Sequence, residues 1–149
     1  MFKKQGVGHI VNIASAAGIV SLAEMGPYNV TKAGVISLSE TLRMELSGTK
    51  IGVTVVCPTF FKTNLMDQFR CTDKKQIARA QGLFKFSLGT ANSISRHIIR
   101  SIKRNRLYVV TQVDAKLYWK MKRYMPQSFF TLMGYVYKSG LLDKVLGVK

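Results

Sequence analysis

Cysteine is scarce in this chain: Cys57 and Cys71 are the only two among 149 residues. Two thiols cannot build the disulfide framework of a small secreted domain, and they fit a reducing compartment, most simply the cytosol. Acidic residues are also few, seven against 23 Lys and Arg, leaving a net charge of +16. Long apolar runs are missing too. A membrane-spanning helix needs ~20 consecutive apolar residues, and the longest charge-free stretch of the tail, Tyr124–Tyr137, is broken by Pro126, Gln127 and Ser128. No signal peptide is expected, because Gln5, Gly6, Gly8 and His9 interrupt the stretch after the basic start at Met1–Lys4. Internal repeats and low-complexity segments are absent.

What is present suits one folded domain. The apolar fraction of 47% is far above that of disordered chains. A chain of this length removes roughly 68–70% of its unfolded surface from water. The positive charge is unevenly spread. Residues 1–58 carry five Lys/Arg against three Asp/Glu, residues 59–114 eleven against three, and residues 115–149 seven against one. The excess over an ordinary domain surface therefore lies in the later two thirds. Either that part meets an anionic partner, or it presents a solvated basic face.

Gly8–Ser15, GHIVNIAS, is a continuous apolar run closed by small residues. It reads as a strand buried on both faces, as in a parallel sheet. A loop with Gly18, Gly26 and Pro27 follows. From about Pro27 to Ser47 the pattern turns helical, with Val30, Ala33, Gly34, Ser37, Leu38, Thr41 and Leu42 at steps of three and four. Pro27 suits a first helical turn and Gly48 a stop. Ile51–Cys57, IGVTVVC, is a second buried strand, ended by Pro58. Strand, helix and strand with short joints make a βαβ unit. Residues 59–89 are less regular, with Phe60, Phe61, Leu65, Met66, Phe69, Leu83, Phe84 and Phe86 set among Lys and Arg. After Thr90, an N-cap candidate, Ile94, Ile98, Ile99 and Ile102 mark an amphipathic helix with Arg96, Arg100, Lys103 and Arg104 on its wet side. Leu107–Thr111, LYVVT, reads as a third strand.

The chemistry gathers in PYNVTKAG, residues 27–34, where Tyr28 and Lys32 stand four apart. On a helix such residues share a face, their β-carbons roughly 5–6 Å from each other. A free phenol, with a pKa of about 10, is a poor base at neutral pH, and a cation beside it favours the phenolate. A ring so tuned can exchange a proton with an alcohol or ketone oxygen. The spacing alone is weak, since Tyr118 and Lys122 repeat it in YWKMK. Context separates the two pairs. Thirteen residues before Tyr28 lies Ser15, at the carboxyl end of a buried strand, where parallel sheets bind ligands; thirteen before Tyr118 lies Asn105, in a basic linker.

Three stretches together, GHIVNIASAAG at 8–18, PYNVTKAGVISLSETLRMEL at 27–46 and IGVTVVCPTFFKTNL at 51–65, closely resemble the short-chain dehydrogenase/reductase family. The likeness is strong over residues 8–65, recognisable to about 111 and loose beyond. It implies a fold: the C-terminal half of a Rossmann-like, doubly wound α/β parallel sheet over residues 1–113, with a basic, aromatic helical extension over 114–149. It implies NAD(P)-dependent interconversion of an alcohol and a carbonyl. Ser15 would hydrogen-bond the substrate oxygen, Tyr28 would be the acid/base, and Lys32 would bind the nicotinamide ribose and favour the ring's ionised form. Pro58, Phe61 and Thr63 would meet the nicotinamide carboxamide. The sequence departs from the family at Thr59 and Phe61, where a glycine and a small aliphatic residue are usual.

Family members begin with a strand, a glycine-rich turn and a helix whose N-terminus holds the cofactor pyrophosphate. Gly6-Val7-Gly8 is the only nearby GxG, and it precedes a strand. The residue that would choose between NAD and NADP is absent, and Asn12, in the strand before Ser15, does not replace the asparagine that often completes the family's tetrad. The expectation is a truncated product that starts at the family's fifth strand, with an open sheet edge prone to aggregation. A catalytically dead fragment acting as a membrane-surface module is the alternative. The longer form is expected to be a homo-oligomer.

His9 and His97 have no second ligand at metal-site spacing, and no metal is expected. The aromatics of 59–89 suggest a bulky apolar substrate, or else they pack that segment onto the domain. From Lys116 to Lys138, Tyr118, Trp119, Tyr124, Phe129, Phe130, Tyr135 and Tyr137 mix with Lys116, Lys120, Lys122 and Arg123. That mixture suits a helix in a membrane interface, a single-stranded nucleic acid, or a helix closing the active site or meeting another subunit. The membrane is preferred to nucleic acid, because no nucleic-acid motif accompanies the tail. The protein is thus expected to be cytoplasmic, with a membrane surface as a possible partner of the tail.

Overall fold

The apolar run after Thr49 forms the middle of a three-stranded parallel sheet. In the computed structural model, residues 1–61, 73–85, 87 and 89–148 are described. The sheet order is β1-β2-β3, with β1 at Val7–Ile13, β2 at Lys50–Cys57 and β3 at Tyr108–Val110. β1 and β2 pair from Val7↔Lys50 to Ile13↔Val56, and β2 meets β3 from Val55↔Tyr108 to Cys57↔Val110. β1 pairs along β2, and β3 along the last three residues of β2, while packed layers cover its faces. Accordingly every residue of β2 from Ile51 to Cys57 is buried. Burial pushes the Cys57 thiol up to about 12, so it is inert as a nucleophile at neutral pH.

The α/β expectation holds, with shifted ends. β1 stops at Ile13, so Ala14 and Ser15 lie beyond it. Between β1 and β2 run α2 (Ala17–Val20) and α3 (Gly26–Glu45); a short α1 (Phe2–Gln5) precedes β1. Pro27 lies in the first turn of α3, and the chain turns at Gly48 with φ +77°. Leu46, Ile51 and Val53 form a core packed by Phe2, Ile10, Leu42 and Leu107. Asn12, a polar residue in an apolar strand, donates through Nδ2 to Ser39 Oγ at 2.9 Å, and Ser39 donates to the Val35 carbonyl. This amide ties β1 to α3.

The chain divides into two compact units: Met1–Thr59 with Asn92–Trp119, and Phe60–Ala91 with Lys120–Lys149. This is a division by packing. The first unit holds the sheet, α1 to α3, nearly all of α5 (Ala91–Lys103), and the start of α6 (Val113–Tyr124). The second contains α4 (Lys74–Lys85), α7 (Pro126–Lys138) and α8 (Leu141–Leu146).

α4 is a helix the sequence pattern did not announce. Asp73 caps it, accepting the Lys75 N–H at 2.8 Å. The tail, expected as a basic helical extension, is split into three helices at Met125–Pro126 and Gly140, and Phe129 is buried. The ring of Phe130 stands edge-on to Phe129 and receives the Lys122 ammonium 5.5 Å from its centroid. Leu65, Met66, Phe69, Cys71 and Phe86 lie outside the described residues.

One carboxylate organises the second unit. Asp143 in α8 accepts Arg79 Nε at 2.5 Å and Nη2 at 2.8 Å, and Lys75 Nζ lies 3.1 Å away. The fork-like pair fixes direction as well as distance. Hydrogen bonding to Arg79 holds the Asp143 carboxyl well below the usual carboxylate range. Its folded pKa is lower than its unfolded one, so its stabilisation is complete above the ordinary aspartate value and lost as pH falls through the folded value. Asp143→Asn is expected to quicken tryptic cleavage at Lys138 and Lys144, while Asp114→Asn leaves both sites at the parent rate.

In the first unit, the Thr54 hydroxyl donates to the Arg106 carbonyl at 2.7 Å, which uses its single proton. His9 Nε2, 2.8 Å from that oxygen, is therefore the donor to it. Burial, then the charge of Arg43, lowers the His9 pKa from 6.5. A base with a depressed folded pKa leaves the unfolded state binding more protons, so stability drops as pH falls below about 6.5. Urea midpoints should decline on acidification through that value. The decline should be shallower in His9→Gln, which keeps an N–H donor without a titration.

Candidate active site

Ser15 reaches its place because two backbone bonds continue the β1–β2 pairing past the strand ends. The Ala14 N–H donates to the Val56 carbonyl at 2.8 Å and the Ala16 N–H to the Pro58 carbonyl at 2.9 Å. Ser15 is thus held between two anchored residues at the carboxyl edge of the sheet. Its Oγ accepts the Ala17 N–H at 3.2 Å. With that contact made, the hydroxyl's own hydrogen remains to be donated elsewhere.

Tyr28 and Lys32 lie on the first turns of α3, on one helical face. The Lys32 ammonium is 3.3 Å from the Ile13 carbonyl oxygen and 5.6 Å from the centre of the Tyr28 ring. The first contact ties the helix to the last residue of β1. The second puts a positive charge within cation–π range of the phenol. Tyr28 is 39% exposed, so its ring is open to solutes. Ser15, Lys32 and Pro58 thus lie at the carboxyl ends of β1 and β2, and Tyr28 stands beside Lys32. Phe61 belongs to the second unit, and Thr63 lies outside the described residues.

Three further residues shape this edge, and single-residue chemistry did not point to them. Gly18 sits where α2 lies on the backbone of α3. A β-carbon there would come within 2.7 Å of the Lys32 carbonyl carbon and 2.8 Å of the Ala33 nitrogen. Asn29 accepts the Leu22 N–H at 3.3 Å and donates to the Leu22 carbonyl at 2.7 Å, pinning the loop that carries the positive φ of Ser21 and Glu24. Gln112 Oε1 accepts the Thr59 N–H at 3.0 Å. Positive φ among the described non-glycine residues is confined to Ser21, Glu24 and Asn105. Thr59 therefore takes the place of the family's usual glycine without left-handed strain.

Among the described residues no group of three or more His, Cys, Asp or Glu is placed to hold a metal ion. The helices described include none long and apolar enough to cross a membrane. Because only glycine fits between α2 and α3, Gly18→Ala is expected to cost about 1–3 kcal/mol in urea denaturation, the usual range for overpacking. Gly34→Ala is the control, since a β-carbon there meets nothing within 4 Å.

Residues 1–74 match the family model described as short chain dehydrogenase. The ketoacyl reductase HetN of Nostoc sp. is 30% identical over 107 residues, covering 72% of this chain and 34% of that protein. The C alpha-dehydrogenase of Sphingobium sp. is also 30% identical, over 119 residues that make up 73% of this chain and 39% of the relative. Among solved structures, a short-chain dehydrogenase/reductase from Burkholderia phymatum in complex with NAD superposes with a TM-score of 0.73 at 26% identity. That superposition covers 83% of this chain and 49% of the Burkholderia chain. This chain therefore spans well under half the length of the curated relatives named and about half of the solved one. By its parallel sheet, its strand-end geometry and these matches, the chain belongs to the short-chain dehydrogenase/reductase family.

Proposed function

We propose that this chain carries the proton-transfer half of an NAD(P)-dependent oxidoreductase acting on an alcohol/carbonyl pair. The observation that carries this reading is Lys32, with its ammonium 3.3 Å from the Ile13 carbonyl and 5.6 Å from the Tyr28 ring centre. A phenol and an ammonium at the sheet edge where parallel α/β folds bind ligands suit proton exchange with a substrate oxygen.

A bound nicotinamide would supply the hydride to the carbonyl carbon, or take it from the alcohol carbon. The chain's own residues then handle the oxygen. In reduction the Tyr28 hydroxyl gives its proton to the oxygen as the carbon gains hydride; in oxidation the ring oxygen takes that proton back. Ser15, whose Oγ already accepts the Ala17 N–H, turns its hydrogen toward the same oxygen and stabilises charge gathering there. Lys32 has three N–H donors. One meets Ile13, and the other two suit the paired hydroxyls of a ribose. Its positive charge also favours the ring oxygen's anionic form during transfer. Pro58, Phe61 and Thr63 are assigned to the carboxamide end of the nicotinamide. The sequence has no residue that would favour NAD over NADP.

The substrate proposed is bulky and apolar, on the strength of the aromatic-rich segment 59–89. Phe60 and Phe84 already face one another edge to face at 5.2 Å, so the preference rests on the remaining side chains of that segment. A homo-oligomer is proposed for the longer protein on family likeness.

Among the described residues no strand runs through a glycine-rich turn into a helix that could hold a pyrophosphate. Calorimetry is therefore expected to show no saturable NADH or NADPH binding by the chain alone. In any longer form that reduces aromatic or long-chain ketones, Tyr28→Phe should lower kcat by roughly 10²–10⁴-fold with the circular dichroism spectrum unchanged. Turnover that survives this substitution would remove Tyr28 from the proposed role.

A further inference from the structure

We propose that the outward face of α5, continued through the turn after it and the first turns of α6, is a docking surface for an anionic lipid bilayer. This stands apart from the redox reading and uses none of its residues. Between Asp73 and Asp114 the sequence has no acidic residue. Arg96, Arg100, Lys103 and Arg104 recur at steps of four, three and one, so they share one side of α5 and its end. Arg106 follows in a turn closed by its N–H on the Ser101 carbonyl at 3.0 Å. Lys116 stands on α6. All six are exposed, and among the described residues none makes an ion pair. Cations near a helix C-terminus favourably meet its dipole. That accounts for Arg100 and Lys103 but not for Arg96, Arg106 or Lys116.

The charges of both helices and of the turn reach His97. Burial lowers its pKa first, and then the charges of Lys116, Arg100 and Arg106 lower it further, with no carboxylate offsetting them. Positive charge from α5, the turn and α6 thus meets around one imidazole, all within the first unit.

Exposed apolar side chains decide what kind of anion fits. Ile99 is 53% exposed amid Arg96, Arg100 and Lys103, and Val113 and Leu117 are 80% and 57% exposed on α6 beside Lys116. Phosphates of a nucleic acid would use the cations and leave these side chains in water. A bilayer surface uses both, drawing the cations to its headgroups and the apolar groups toward the acyl boundary. A second copy is a poor occupant, because a two-fold contact would set this basic face against itself.

Vesicles of phosphatidylcholine containing phosphatidylserine are expected to sediment the chain at low salt. High salt should release it, and pure phosphatidylcholine should leave it in solution. Each cation near an anionic surface strengthens partitioning roughly fivefold. Arg100→Glu with Lys103→Glu should therefore weaken it by at least about tenfold. Lys3→Glu with Lys4→Glu makes the same change of net charge at α1 and should weaken it no more than about threefold. Arg100→Gln with Lys103→Gln, judged folded by circular dichroism, must show a loss in the same direction. Equal losses in both Glu pairs, no salt-sensitive sedimentation, or an oligonucleotide that binds through Arg100 and Lys103 while the vesicles do not, each overturns the proposal.

Discussion

The parallel register of β1 on β2 is the constraint from which the candidate site follows. Because Ile13 pairs with Val56, the next amides along β1 find partners on the chain leaving β2: Ala14 on Val56 and Ala16 on Pro58. Ser15 is held between those two bonds, and Lys32 adds a third fixed point by reaching Ile13. A slip of one residue would turn every side chain of β1 to the opposite face and carry Ser15 with it. The geometry at the sheet edge is thus a property of backbone pairing. The side chains that would do chemistry occupy positions the pairing has already set.

The helices around the sheet refine that frame by very close approach. α2 has only four residues, too short to hold itself by internal hydrogen bonds. It is kept in place by the absence of a side chain at Gly18 and by the two bonds from Asn29 to Leu22. This close approach accompanies the burial of Ala17, Ile19 and Val20, and it decides whether the Ser15 segment and the first turns of α3 share one edge.

Much of this was legible in the residues. Continuous apolar runs marked both strands, and for β2 the reason holds, since a strand covered on both faces has no wet side to alternate with. β1, expected to be buried on both faces, is only half-buried, with Val7 and Ile13 exposed. The three-four repeat gave α3, and the isoleucine stripe gave α5. Ser15, Tyr28 and Lys32 could be singled out because their spacing along a strand–helix unit has a chemical meaning. The likeness to a known family extended the list to Pro58, Phe61 and Thr63. The rest was hidden for physical reasons. α4 lacks the repeated isoleucine stripe of α5 and starts from Asp73, whose capping role depends on a local turn that composition does not announce. Gly18 looked like a loop glycine, because the backbone it touches lies fourteen residues away in α3. Gln112 meets Thr59 across 53 positions, a distance no periodicity spans. The tail was read as a helical extension, and neither its breaks at Met125–Pro126 and Gly140 nor the pairing of α8 with α4 through Asp143 was read from the residues.

The tail's only acidic side chain carries an asymmetry of mutational tolerance. Residues 115–149 hold seven Lys and Arg and one Asp. Most of those cations are exposed, so one can drift to another residue type at small cost while its neighbours keep the local field. Asp143 has no understudy. Leu146 packs on α4 at Gly82, but among the described residues the ionic link to Arg79 and Lys75 runs through Asp143 alone, and the sequence around it offers no second Asp or Glu to take over. Genetic variation should therefore accumulate freely among the basic positions after Lys116 and leave one narrow gap at 143.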